Sequence, residues 1–223
     1  MKRKVIIVLC VLIVAVVATL SCFTLFKSGE RASGGASDEG ATGFGGALPV
    51  NSSHVLSIEE AARLLNATAP IRLPTRIPAD MTYMRIVAVP DDTIYVFYAD
   101  EPIAEEDNPF ILIHLHWGWT YEDIEGGEPD MIVIISKLAP DTVQAVTEIN
   151  SEEAARGYAD QFNLTYRMVD GIAVFGYEPQ TNYVFIQPVG VVHFYVDDVW
   201  YEIMNRLSFE EAVEVAKSII EQF

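Results

Sequence analysis

Two histidines spaced two residues apart, His114 and His116, form the most chemically suggestive pattern in this chain of 223 residues. They lie in residues 110–117, a segment rich in apolar and aromatic side chains that is typical of a β-strand. Residues i and i+2 of a strand share one face, so both imidazoles are expected to project together. His193 lies in another predicted strand. Because imidazole nitrogens bind zinc, these three histidines are the candidate metal ligands.

A structural role is the alternative for the same histidines. On a half-exposed sheet face they would be ordinary hydrogen-bonded side chains. The sequence identifies no fourth ligand and no residue that would hydrogen-bond to the ligating imidazoles and orient them. No cofactor is therefore expected, and zinc stays the alternative.

Two acidic clusters flank this segment, at residues 101–107 and 122–130. Carboxylates in loops can bind calcium, but the spacing here departs from the calcium-loop pattern. Solvated loops are the favoured interpretation.

The sequence contains no recognised enzyme signature. A Gly-x-Ser-x-Gly elbow, a His-Glu-x-x-His pair and a phosphate loop are all absent. The two cysteines, Cys10 and Cys22, both lie in an apolar N-terminal run. The rest of the chain thus has neither a cysteine nucleophile nor a disulfide. A non-enzymatic protein is favoured, with a metal-dependent hydrolase built on the three histidines as the third alternative.

The apolar run predicts a membrane anchor. Residues 5–26 carry no charged side chain, and a helix of that length crosses the hydrocarbon core of a bilayer. Lys2, Arg3 and Lys4 precede the run, and positive charge favours the cytoplasmic side. We expect a single-pass protein of the cell membrane with a cytoplasmic stub, residues 1–4, and an extracytoplasmic remainder.

Two other N-terminal processing routes stay open. A cleaved signal peptide is disfavoured because its apolar region usually has about 7–15 residues. Lipidation at Cys22 is suggested by Leu20, although this leucine is two positions before the cysteine and the usual pattern has three. All three alternatives place the C-terminal part outside the cytoplasm.

A linker and a domain follow the anchor. Residues 27–53 are rich in glycine and serine and poor in bulky side chains, which is typical of a flexible tether. Residues 54–223 are the predicted extracytoplasmic domain.

The exported part is strongly acidic. All 32 acidic residues but only 10 of the 14 basic residues follow Lys27, so this part carries a formal net charge of −22. Phosphate backbones would repel such a surface, and no nucleic acid is expected as a partner. Anionic headgroups would repel it too, so contact with the membrane is expected only through the N-terminal helix.

Three asparagines, Asn51, Asn66 and Asn163, each begin an N-glycosylation acceptor pattern. In an exported domain these sites could be glycosylated, although such short patterns also arise by chance.

The elements that would position these side chains are predicted from caps and periodicity. Ser57, Asn150 and Ser208 each precede a helical segment with glutamate three positions on. The last helix, from Phe209 to Phe223, carries apolar residues at helical spacing and is amphipathic. Asp170-Gly171 is a strong hairpin signal, and the class is therefore α+β with an antiparallel sheet and packed amphipathic helices. Nine strands are predicted, at 82–89, 93–98, 110–117, 131–137, 164–169, 172–177, 183–187, 191–196 and 199–204.

Three segments of the exported part carry a family resemblance. Residues 73–81 contain a proline-rich entry to the first strand, residues 169–177 a central hairpin, and residues 194–219 a closing hairpin and helix. They resemble a family of uncharacterised extracytoplasmic domains of unknown function in prokaryotic membrane proteins, some related to anti-sigma factors or sporulation proteins. The resemblance implies a curved antiparallel sheet packed by helices, similar to lipoprotein-carrier folds, and it implies no catalytic residues. With only residues 1–4 before the predicted anchor, no cytoplasmic anti-sigma domain is expected.

These features together predict a membrane-anchored extracytoplasmic module that binds, senses or scaffolds in the cell envelope, with an envelope protein as its partner. The alternative is a carrier that holds an apolar or lipidic ligand in a concave sheet. That alternative depends on the many aromatic side chains in the predicted strands, because ligand pockets are lined mainly by apolar and aromatic groups.

Overall fold

The computed structural model describes residues 53–55, 57–66, 70–89, 91–122 and 124–223. The predicted anchor, nearly all of the predicted linker, Cys22 and the Asn51 acceptor site lie outside these ranges. Within them, no helix combines the length and the apolar character that crossing a membrane requires. The described residues belong to one structural unit.

The described residues form an α+β fold with one antiparallel sheet and five helices, which confirms the predicted class. The strands are β1 (Ser53–Val55), β2 (Tyr83–Val89), β3 (Thr93–Ala99), β4 (Met131–Lys137), β5 (Thr165–Val169), β6 (Ile172–Gln180), β7 (Val189–Val196) and β8 (Val199–Asn205). The helices are α1 (Ile58–Leu65), α2 (Pro109–His116), α3 (Pro140–Ile149), α4 (Glu152–Phe162) and α5 (Phe209–Ile220).

The sheet joins two meanders. Its strand order is β1-β2-β3-β4-β8-β7-β6-β5, and every neighbouring pair is antiparallel. The meander β1–β4 meets the meander β5–β8 along β4 and β8, where Ile134 lies opposite Glu202. Helices α3 and α4 carry the chain from the middle of the sheet to its far edge at β5.

Helices cover both faces of the sheet. Strand β3 is buried at all seven positions. Val96 packs in a cluster with α1 and α5, on what we call the back face, and Phe97 packs with α2 on the front face. Helices α3 and α4 also lie on the front face, where Val146 packs on Tyr195 and Tyr158 on Phe175. A sheet between two helical layers explains why successive residues of β3 are all apolar or hydroxyl-bearing.

The predicted turns are confirmed where aspartate adopts left-handed backbone. Asp91, Asp170 and Asp197 have φ angles of 59°, 47° and 52°. Gly171 follows Asp170 with a φ of 84°, as a two-residue hairpin turn requires. Short polar side chains tolerate this conformation, so each turn fixes the pairing of the strands beside it.

The strands predicted at 110–117 and 183–187 are wrong, because residues 110–116 belong to helix α2 and residues 183–187 form a loop. Strand β1 and helix α3 were not predicted, and Ser151 rather than Asn150 caps α4. Asn108 caps α2, because its Oδ1 accepts a hydrogen bond from the Phe110 amide at 3.1 Å, and Pro109 occupies the first turn. The buried side chains of α2 recur at helical spacing; they are Pro109, Leu112, Ile113 and His116.

The cap of α5 gives a prediction for stability. The Ser208 Oγ accepts from the Glu211 amide at 3.4 Å, and the Glu211 carboxylate accepts from the Ser208 amide at 2.9 Å. Ser208→Ala should therefore lower the free energy of unfolding by about 1 kcal/mol in urea titrations. Thr181→Ala, in an exposed loop, is the control and should change it by less than about 0.5 kcal/mol. Equal midpoints for the two variants would contradict the role of the cap.

Candidate functional site

The three histidines that were predicted to share a metal lie in three separate surroundings. His114 and His116 are on helix α2, where two residues correspond to a rotation of about 200° about the helix axis, so the two side chains project from nearly opposite sides. The argument that they share a strand face is therefore wrong. His193 lies on β7. Among the described residues, no group of three or more His, Cys, Asp or Glu side chains is placed to hold a metal ion, so the zinc site has no geometric support.

His114 belongs to an aromatic cluster at the end of α2. Its Nδ1 lies 2.5 Å from the Tyr121 hydroxyl, and the two rings are stacked with centroids 6.3 Å apart. The rings of Trp117 and Trp119 lie 5.5 Å and 6.3 Å away. Burial lowers the pKa of His114, which favours a neutral ring that shares a hydrogen bond with the tyrosine.

His116 is a structural anchor. It is fully buried, and its Nδ1 lies 2.7 Å from the Pro129 carbonyl oxygen. Burial lowers its pKa to about 4. The guanidinium of Arg206 donates to the His116 carbonyl at 3.2 Å and pairs with Glu128 at 3.1 Å and with Asp130 at 3.6 Å. These contacts tie the end of α2 to the end of β8.

The acidic clusters are partly engaged in such contacts. Arg85 pairs with Asp107 at 2.8 Å, in the first cluster, and Arg206 pairs with two carboxylates of the second. Calcium binding is not supported by any described grouping of carboxylates.

A loop at residues 181–188 is held in a fixed shape by its own polar groups. The Asn182 Oδ1 accepts hydrogen bonds from the amides of Val184 at 2.7 Å and Phe185 at 2.8 Å. The Trp119 indole donates to the Val184 carbonyl at 3.0 Å. This loop is the segment that was predicted to be a strand, and its bonds are local rather than those of a sheet.

The same loop is clamped to the end of α2. The amides of Ile186 and Gln187 donate to the Trp117 carbonyl at 2.8 Å and 3.0 Å. Gly118 has a φ of 91°, and a Cβ at this position would lie 2.6 Å from the Gln187 Cγ. Glycine is therefore required for the close approach of the two segments.

Three large apolar side chains are exposed on these clamped segments. The exposed fraction is 94% for Tyr183, 60% for Ile186 and 39% for Trp119. We call these three residues the aromatic patch. Hydrogen bonds hold the backbone of both segments, so these side chains project from a fixed main chain.

A row of paired residues crosses the front face, and its centre is polar. Glu202 on β8 lies directly opposite His193 on β7. From the β2 side to the β5 edge the row contains Val87, Tyr95, Ile134, Glu202, His193, Phe175 and Tyr166.

The His193 ring lies between two aromatic rings. Its centroid is 4.9 Å from Trp200, with an angle of 10° between the planes, and 5.7 Å from Phe175. Its Nε2 is buried and has no hydrogen-bond partner among the described residues. Burial lowers the pKa of His193 to about 4, so the imidazole is neutral at physiological pH.

Glu202 is the most perturbed carboxyl group in the described fold. Burial raises its pKa to about 7, and a hydrogen bond from the Trp200 side chain opposes this rise only in part. Tyr177 and Tyr195 lie near enough for the Glu202 charge to raise their pKa values as well, after the larger effect of burial. A perturbed group beside a buried unpaired imidazole marks a candidate functional site.

Comparison with known proteins gives no match. No protein-family model, no curated protein and no solved structure matches the chain. The family resemblance of residues 73–81, 169–177 and 194–219 stays a prediction, and function must be argued from the geometry of the site.

The helices leave a strip of the front face partly exposed around Glu202. On one side α2 covers a cluster that includes Ile134 and Tyr177, and on the other α3 covers a second cluster that includes Trp200. Glu202 lies between Ile134 of β4 and His193 of β7, its partners on the neighbouring strands. We call this strip the Glu202 furrow; its partly exposed residues are Ile134, Tyr177, His193, Trp200 and Glu202.

Sequence reasoning identified His193 but missed Glu202. The available signal was the alternation of β8, where Glu202 shares a face with Trp200 and Met204. An acidic residue on an otherwise apolar strand face is unusual enough to single out.

Two of the predicted glycosylation sites have a structural function of their own. Asn66 and Asn163 end helices α1 and α4 with φ angles of 53° and 54°. Asparagine tolerates this left-handed conformation at a helix end. Both residues are exposed, and their glycosylation stays a prediction.

Proposed function

We propose that this chain is a membrane-tethered, non-enzymatic binding module of the cell envelope that docks a basic protein partner on the aromatic patch. The predicted anchor at residues 5–26 would hold the domain outside the cytoplasm, and the linker would let it search the space near the membrane. The observation that carries this proposal is the exposure of Tyr183 and Ile186 on a loop whose conformation is fixed.

Exposed aromatic side chains on a hydrogen-bonded backbone are well suited to docking. Single exposed apolar residues are common, whereas neighbouring ones favour an interaction surface, and the Trp119 indole is bonded to the loop that carries Tyr183 and Ile186. Tyrosine and tryptophan are enriched among the residues that contribute most of the binding energy in protein interfaces. A loop already held in its bound shape also loses less conformational entropy on association.

The charge around the patch favours a basic partner. Residues 86–136, which include α2 and Trp119, contain twelve acidic residues and no lysine or arginine. Arg206, which reaches this region from β8, is already paired with Glu128 and Asp130. A positively charged partner would be steered to this surface, whereas an acidic protein or an anionic membrane would be repelled.

The apolar carrier has less support in the geometry. Residues of β3 are buried on both faces, so this strand does not present an open apolar surface to a lipid. The strip that the helices leave partly exposed has a carboxyl group at its centre, and burying a carboxylate against lipid is unfavourable.

Site-specific photo-crosslinking in native membranes tests the proposed docking surface. We expect a photoreactive residue at position 183 of the full chain to form an adduct with one basic envelope protein, and the same residue at the exposed Gln161 of α4 to form none. Equal adducts at both positions, or none at position 183, would overturn the proposal.

A patch variant gives the matching affinity prediction. The double substitution Tyr183→Ser and Ile186→Ser should weaken binding of the purified partner about tenfold or more. Because both side chains are exposed, the thermal midpoint should change by only about 1 or 2 °C. Raising the salt concentration should also weaken binding to the wild type. Undiminished affinity in the double variant would place the interface elsewhere.

A further inference from the structure

The Glu202 furrow shares no residue with the aromatic patch and differs from it in having a carboxyl group at its centre. We propose that it binds a small organic ammonium ion, a protonated or quaternary alkylamine, between the Glu202 carboxylate and the surrounding aromatic rings. The proposal stands on the placement of the carboxyl group, the rings beside it and their partial exposure, and it is independent of protein docking on the patch.

Among the residues that the structure describes, none forms an ion pair with Glu202. Glu202 lies at the middle of an eight-stranded sheet. Its described polar contact is a hydrogen bond from the Trp200 side chain, and the arginine that follows β8, Arg206, pairs with Glu128 and Asp130 instead. A carboxylate in such surroundings is costly unless a cation is brought to it. A bound ammonium ion would supply the missing charge.

Aromatic rings lie next to Glu202 in the sheet: His193 is its partner on β7, and Trp200 shares its face of β8. Trp200 lies 4.9 Å from His193 and 4.5 Å from Tyr195, measured between ring centroids. Tyr177 is near enough for Glu202 to influence it electrostatically. The faces of tryptophan and tyrosine attract organic cations. The His193 imidazole does not repel them, because burial keeps it neutral above about pH 4.

The same arrangement disfavours an inorganic cation. Calcium takes six to eight oxygen ligands and magnesium about six, whereas the furrow offers one carboxyl group. No described set of His, Cys, Asp or Glu side chains could hold a metal there. The apolar flanks of Ile134 and Trp200 suit alkyl groups instead. Their partial exposure leaves a route for a small ligand from solvent.

Calorimetry with choline and its neutral isostere tests this site. We would titrate choline and 3,3-dimethylbutanol, which have the same shape but differ in charge, into the full chain in nanodiscs at pH 8. The wild type should bind choline, and the neutral isostere should bind at least about tenfold more weakly. Glu202→Gln should weaken choline binding about tenfold or more, while Glu148→Gln, on the exposed surface of α3, should leave it unchanged.

Three results would overturn the proposal: no choline binding to the wild type, equal binding of the isostere, or undiminished choline binding by Glu202→Gln. Trp200→Phe keeps a ring but removes the indole donor, and it should weaken choline binding less than Glu202→Gln does. The patch variant Tyr183→Ser and Ile186→Ser should bind choline normally, so failure of one proposal is distinguishable from failure of the other.

Discussion

Replacing Glu202 by glutamine should raise the free energy of unfolding at pH 8 by about 2 to 3 kcal/mol and leave it unchanged at pH 4. Burial raises the pKa of Glu202 from 4.5 to about 7. Between these two values the folded state holds a proton that the unfolded state releases, so stability falls as the pH rises. A pKa difference of one between the folded and unfolded states changes the free energy of unfolding by about 1.4 kcal/mol. Solvent reaches Glu202 in part, and this reduces the change expected at this residue.

The neighbouring groups do not obscure this difference. Tyr177 of β6, Tyr195 of β7 and Tyr158 of α4 have raised pKa values and stay neutral up to pH 8. His116 and His193 have pKa values lowered to about 4. Between about pH 6.5 and 4 the unfolded state takes up protons at these imidazoles while the folded state does not. The free energy of unfolding therefore decreases as the pH falls through this range. This acid-side loss is common to the wild type and the variant and cancels in the comparison.

Urea titrations at pH 4, 6 and 8 measure the effect. Glu148→Gln is the matched control, and its difference from the wild type should be independent of pH. If Glu202→Gln and the wild type were equally stable at pH 8, the carboxyl group would not be buried as described. A substitution that stabilises the fold and also removes choline binding would show that Glu202 is retained for function, since binding residues commonly reduce stability.

The strands and turns could be predicted because their signals are local. Alternating β-branched and aromatic residues bounded by aspartate turns indicated β2, β3, β4 and β8 within a residue or two of their ends. Helix α2 was missed because its side chains are apolar nearly all round, which leaves no period to detect. Its ends carried the evidence: Asn108-Pro109 is a helix start and Gly118 a helix stop. The loop at 183–187 was predicted as a strand because its residues are typical strand formers. They have no partner strand in the fold, and the local sequence does not reveal this.

The candidate site was only partly predictable. The two-residue turn at Asp197-Asp198 pairs Val196 with Val199, and counting back along both strands places His193 opposite Glu202. That pairing was therefore available from the sequence. What the sequence does not specify is that β4 lies beside β8, or that α2 and α3 cover the front face on either side of this pair. These are long-range contacts, and they convert an ordinary strand pair into a partly buried polar site.

Replacing Phe194 by alanine should lower the free energy of unfolding by about 3 to 5 kcal/mol. Phe194 is fully buried on the back face, where its ring stacks on Tyr201 with centroids 5.0 Å apart and planes 4° apart. The Tyr201 hydroxyl also accepts a hydrogen bond from the Arg72 amide at 3.0 Å. Loss of the Phe194 ring would thus leave a cavity and loosen the attachment of the segment that leads into β2.

Phe223→Ala is the control for this variant, because its ring is 48% exposed. Its effect should stay below about 1 kcal/mol, whereas the thermal midpoint of Phe194→Ala should fall by about 10 °C. A loss for Phe194→Ala no larger than that of the control would contradict the described core. Phe194 and Tyr201 pair immediately beside His193 and Glu202 on the same two strands. The stacked rings on the back face therefore hold in place the two strands that present the furrow on the front face. Stability and ligand binding should both depend on the pairing register of β7 and β8.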